Sequence, residues 1–123
     1  MLKQLSIYAE NKKGALQAMT NALYEAGINI WGSVTNDGAE YGINRMVVSD
    51  PDKAKEVLTE KGYLCRFVDV LAVEIEDKPG ALNTLLTALL DSNVNVDYTY
   101  LSFNRDSSTP VMILHTADPE EVE

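Results

Sequence analysis

The chemistry this chain can do is concentrated in two short stretches, Asn11-Lys12-Lys13-Gly14-Ala15-Leu16 and Asp77-Lys78-Pro79-Gly80-Ala81-Leu82, which repeat one pattern of polar residue, lysine, glycine, alanine and leucine. Each separates a strand-like run from a helix-like run, so each is a strand-to-helix turn. The first amides of a helix have no partner inside it and lie at the positive end of its dipole. A glycine ahead of them lets the backbone approach a bound group without a Cβ in the way. The combination suits an anion, most simply a carboxylate. Asn11 can donate and accept hydrogen bonds, whereas ionised Asp77 only accepts, which favours an ammonium and repels a carboxylate. The first turn is therefore the better carboxylate site. A tight turn alone also accounts for Gly14 and Gly80, with water on the free amides.

The two glycines are 66 residues apart, and the same offset pairs Leu5 with Leu71, Glu10 with Glu76, Ala22 with Ala88, Leu23 with Leu89 and Asn29 with Asn95. Ile28 and Ile30 fall on Val94 and Val96. A repeat of this length is one supersecondary unit used twice.

Alternation of Leu5, Ile7 and Ala9 with polar neighbours predicts a strand ahead of Gly14. A helix over 15–26 carries Leu16, Met19, Leu23 and Ala26 on one stripe and ends at Gly27. A strand over 29–35 puts Ile30 and Val34 on one face and Trp31 on the other, which makes Trp31 a candidate interface residue. Asn36-Asp37-Gly38 has hairpin chemistry, and a third strand returns over 41–49. Asp50-Pro51-Asp52 starts a second helix that stops at Gly62, and a fourth strand runs over 63–70. The order β-α-β-β-α-β is the ferredoxin-like, α+β arrangement of an antiparallel sheet with helices on one face.

The second copy opens at Leu71 without a linker. It has a more apolar helix stripe (Leu82, Leu85, Leu86, Leu89 and Leu90), an alternating strand through Val96, Tyr98 and Tyr100, and a strand over 111–115. Asp118-Pro119-Glu120-Glu121 repeats the helix start, and the chain ends at Glu123. The reading is thus one unit over 1–70 and a second over 71–123, truncated after its third strand. An open strand edge at 71–76 and an apolar face including Val111 and Ile113 are then expected to favour a homodimer or higher assembly.

A net charge of −9 argues against nucleic acid or an anionic membrane as the partner. No apolar run is long enough to span a bilayer, and the start does not read as a signal peptide. Cys65 is the only cysteine, which excludes an internal disulfide and a cysteine metal cluster and fits a cytoplasmic setting. Cys65 lies in an alternating strand and is expected buried and inert, and His115 has no Ser or Cys motif near it. Capping explains the acidic clusters around Pro51 and Pro119, so no metal or cofactor is expected. Tyr41-Gly42-Ile43 lacks the paired aromatics and basic surface that RNA stacking requires.

With the repeat, the element order and both Gly-Ala-Leu turns, the chain resembles a tandem ACT-domain protein. ACT domains are small regulatory modules of amino-acid metabolism, found in phosphoglycerate dehydrogenase, aspartate kinase and acetolactate synthase regulatory subunits. In serine-sensing members the turn reads roughly Glu-Asn-Arg-Pro-Gly, and a second asparagine opens the next strand at a subunit interface. Glu10-Asn11-Lys12-Lys13-Gly14 matches with Lys13 for the proline, and Glu76-Asp77-Lys78-Pro79-Gly80 keeps the proline with Asp77 for the asparagine. Asn29 and Asn95 match the second asparagine, while Ala9 and Ile75 replace a histidine of the serine-binding type.

The resemblance implies a non-catalytic sensor of an amino acid. Its site residues would be Asn11, Lys13, Gly14, Ala15, Leu16, Asn29 and Ile30, and in the second copy Asp77, Pro79, Gly80, Ala81, Leu82 and Asn95. The alternative is a regulatory subunit, like that of acetolactate synthase, which docks on a biosynthetic enzyme and binds no ligand. The residues agree with the first reading. A free amino acid needs N–H donors for its carboxylate and oxygen acceptors for its ammonium, and Asn11 and Asn29 supply both.

Overall fold

The computed structural model describes residues 2–10, 12–36, 41–103 and 109–117, with the backbone alone at 41. Its six strands and three helices divide between two compact units, residues 3–68 and residues 69–123 together with 1–2.

In the unit 3–68 the order is β1 (Leu2–Glu10), α1 (Ala15–Glu25), β2 (Ile30–Asn36), β3 (Tyr41–Val48), α2 (Pro51–Glu60) and the first half of β4 (Leu64–Glu74). The strands are arranged β4-β1-β3-β2, the βαββαβ topology read from the sequence. β1 runs antiparallel to β3, pairing Leu5 with Met46 and Ala9 with Gly42. One core holds the unit together: Leu5, Ile7, Met46 and Val48 of the sheet meet Met19 and Leu23 of α1 and Ala54 and Leu58 of α2. Asp50 caps α2, its carboxylate accepting from Lys53 N–H at 3.2 Å, with Pro51 in the first turn. α1 ends as its pattern predicts, Gly27 N–H bonding Tyr24 O and Ile28 N–H bonding Leu23 O.

The unit 69–123 holds the second half of β4, α3 (Ala81–Asp91), β5 (Tyr98–Phe103) and β6 (Pro110–His115). β6 lies between the other two, pairing Leu71 with Leu114 and Tyr100 with Ile113. α3 packs Leu89 on Leu71 and Leu114. It closes as α1 does, through Asn93 N–H to Leu90 O and Val94 N–H to Leu89 O, with Asn93 at φ 60°. Asparagine tolerates that left-handed conformation better than most residues.

Five sequence expectations need correction. The strands expected over 63–70 and from Leu71 are one eleven-residue strand, because no turn residue interrupts the run from Leu64 to Glu74. Leu16 is 49% exposed, and α1 buries Met19, Ala22 and Leu23 instead. The leucine stripe of α3 is narrower than its sequence, with Leu89 buried and Leu90 74% exposed. Val111 and Ile113 are buried rather than open to water, and strand alternation puts them on the β6 face away from Leu114, which packs on α3. The exposed apolar pair is Leu101 and Phe103 on β5, at 60% and 80%. Trp31 is half-buried, and the register shift between Ile30 and Gly32 is a bulge that breaks the alternation used to place it. The hairpin turn at Asp37-Gly38 and the helix start at Asp118-Pro119 lie outside the described residues.

Truncating Leu23 and Leu16 separates core from surface on α1. Leu23→Ala is expected to lose about 2–5 kcal/mol in urea denaturation, and Leu16→Ala about 0.5 kcal/mol or less.

Candidate functional site

Both turns fold alike. Gly14 sits at φ 85°, ψ −8° and Gly80 at φ 86°, ψ −6°, each as the residue before a helix. In the first, Lys12 N–H bonds Glu10 O at 3.1 Å and Ala15 N–H bonds Lys12 O at 3.1 Å. In the second, Lys78 N–H bonds Glu76 O at 3.0 Å and Ala81 N–H bonds Lys78 O at 3.3 Å. The side chains repeat too: Lys12 Nζ is 3.1 Å from Glu10 Oε2, and Lys78 Nζ is 2.8 Å from Glu76 Oε2. Helical bonding begins with Ala18 N–H to Gly14 O and Thr84 N–H to Gly80 O. The intervening amides of Leu16 and Gln17, and of Leu82 and Asn83, therefore lack helical partners. Among the described residues no side chain caps either helix. Nothing lies within 4 Å of where a Cβ on Gly14 or Gly80 would stand, so both turns open onto space.

Two hollows flank the Gly14 turn. The larger, about 550 Å³, is bordered by Tyr8, Lys13, Gly14, Ala18 and Tyr63. The smaller, about 170 Å³, lies under the first turn of α1 against Leu16, Met19, Thr35, Gly42 and Asn44. Glu10, Lys12 and Ala15 border both. Asn44 is 3% exposed. It donates to Thr35 Oγ1 at 2.7 Å and accepts from Ser33 Oγ at 3.3 Å.

The structure brings Lys13, Gly14, Ala15 and Leu16 together at these hollows. Asn11 lies outside the described residues. Asn29 is elsewhere, its N–H bonding Ser49 Oγ and its carbonyl accepting from Ser49 N, each at 2.9 Å. That is the Val48 end of β3, while the turn follows Glu10 beside Tyr41. Seven residues of strand separate them, about 23 Å. Ile30 packs against the core beside Asn29. In the second unit Asp77 and Pro79 are exposed, Gly80 follows them, and Ala81 and Leu82 open α3 half-buried. Asn95 again lies at the far end, donating to Asp97 Oδ1 at 3.1 Å. Asp97 Oδ2 holds His115 Nδ1 at 2.8 Å, and the imidazole stacks on Tyr98 with ring centres 4.9 Å apart.

Sequence reasoning missed Thr35, Gly42 and Asn44. The signal was present, because Asn44 alternates in register with Met46 and Val48 and so falls on the core face of β3. Cys65 is buried, and its burial pushes the thiol pKa up, against smaller pulls from the Lys55 ammonium and a hydrogen bond with Thr59. Among the described residues no three His, Cys, Asp or Glu side chains group to hold a metal, and no helix is long and apolar enough to cross a membrane.

Two measurements check these environments. Gly14→Ala and Gly80→Ala are each expected to lose roughly 1–2 kcal/mol in urea denaturation, from the left-handed backbone rather than from collision. Cys65 should alkylate far more slowly in the native protein than in urea. Because the native thiol keeps its proton where the unfolded thiol has lost it, stability should fall as pH rises past the ordinary thiol range.

A model of the ACT domain pair matches residues 1–123. No curated protein matches the chain. The crystal structure of protein BT0572 from Bacteroides thetaiotaomicron is similar over 98% of this chain and 82% of that one, with 32% identity and a TM-score of 0.88. The ligand-free regulatory subunit of aspartate kinase from Thermus thermophilus shares the fold at 16% identity and a TM-score of 0.73, over 97% and 86% of the two chains. A repeated strand-turn-helix unit, its two left-handed glycines and a family match over the full length converge: the chain belongs to the ACT domain pair family.

Proposed function

We propose that this protein is a non-catalytic regulatory sensor that binds a free amino acid at the Gly14 turn. The observation that carries this reading is the uncapped start of α1 beside two hollows bordered by Glu10 and Lys12. The ligand carboxylate would take the free amides of Leu16 and Gln17 and the charge of Lys12 or Lys13, and its ammonium would face Glu10. The first turn is preferred, because Asp77 opposes a carboxylate in the second and the Asn95 side chain is already engaged by Asp97.

Asn29 lies too far from its own Gly14 turn to join this site, so a second copy of the chain would have to supply it. The protein is then a cytoplasmic homodimer that signals to an enzyme of amino-acid metabolism. The fold it shares with aspartate kinase regulatory subunits supports a role of that kind. The exposed Leu101 and Phe103 favour a second reading, a regulatory subunit that docks on its enzyme through β5 and binds no ligand.

A thermal-shift screen against the common amino acids separates the two. A ligand at a hundred times its Kd should stabilise the fold by about 2.7 kcal/mol, and a screen without any shift favours the docking subunit. Asn29→Ala should weaken binding without disturbing the turn. Light scattering should give a dimer mass, and a monomer that still binds would remove Asn29 from the site.

A further inference from the structure

The smaller hollow has a polar floor under apolar walls. Ala9 and Gly42 are cross-strand partners and Ala15 stands above them, so three small residues leave the space open. Gly42 has a structural reason, since a Cβ there would stand 3.1 Å from Asn36 O. Asn44 has a weaker one. On the same face of β1 and β3 its neighbours Leu5, Ile7, Met46 and Val48 are apolar, and burying an amide costs stability unless its bonds are made. Two are made, to Thr35 and from Ser33. Among the described residues the second Asn44 amide proton and the Thr35 hydroxyl proton meet no acceptor, so the floor presents two donors.

At about 170 Å³ the hollow is below the usual range for whole ligands and has room for about five waters, the size of a short side chain. The Lys12 ammonium at its mouth is paired with Glu10, so no lining cation is left to balance a buried charge.

Resting on the reading that an amino acid binds at this turn, we infer that the hollow takes its side chain, and that Asn44 and Thr35 select a short, neutral side chain ending in an oxygen acceptor. A hydroxyl or carboxamide fits this chemistry. An aliphatic side chain leaves the buried Asn44 amide proton unpaired, and a carboxylate brings an unbalanced charge.

Calorimetry with the full chain tests this on matched probes: threonine against its isostere valine, and asparagine against leucine and aspartate. Wild type should favour threonine over valine and asparagine over leucine and aspartate, each by about tenfold or more. Asn44→Leu should bring the threonine-to-valine ratio close to one. Thr35→Val, at an exposed position that does not endanger folding, should reduce it, and Thr35→Ser should restore it. Binding that favours valine, leucine or aspartate, or a ratio unmoved by Thr35→Val, overturns the inference while leaving the sensor intact. Failure of all twenty amino acids to bind overturns both.

Discussion

The constraint on which the rest depends is the left-handed glycine between the first strand of each unit and its first helix. With φ near 85° at Gly14 and Gly80, the chain turns sharply enough to start a helix over the end of the sheet. The turn's own bonds and the first helical bond occupy some of the amides there and leave those of Leu16 and Gln17 with no partner in the helix. A side chain at Gly14 would strain the backbone, and a capping serine or aspartate would occupy the donors. The turn therefore serves the fold and keeps the helix end available, and the core of Met19 and Leu23 on Leu5 and Ile7 holds it in place.

The two units have the same backbone device and different surroundings. In the first, the turn opens beside two hollows, the smaller one floored by β3, and the exposed ion pair of Lys12 with Glu10 borders both. In the second, the turn carries Asp77, and the far-end asparagine is tied into a chain from Asp97 to His115 and Tyr98. Trp31 occupies the Asp97 position in the first unit, where a bulge replaces that arrangement. Duplication kept the part that backbone sterics enforce. Side chains at the strand ends, free of that constraint, diverged.

Much of the fold was legible because it rests on local rules. The strand ahead of Gly14, the cap at Asp50 and the stop at Gly27 each rest on a few residues, and each was found where the sequence placed it. The expectations that failed depended on distant partners. Nothing within α1 or α3 shows that Leu16 and Leu90 extend past what they could cover, and nothing in β6 shows that Val111, Met112, Ile113 and Leu114 are all buried.

The sequence by itself determined the unit used twice, the positions of both glycine turns and the residues that open α1. Tertiary structure decided what those residues meet. Lys13, Gly14, Ala15 and Leu16 are neighbours in the chain and remain together at the two hollows, whereas Asn29 is carried to the other end of the sheet by the length of β3. Thr35 and Asn44 reach the smaller hollow from two strands far from the turn in sequence, because antiparallel register sets them side by side. Strand register is a long-range property. It assembles the floor of the hollow from residues whose local context reads only as strand.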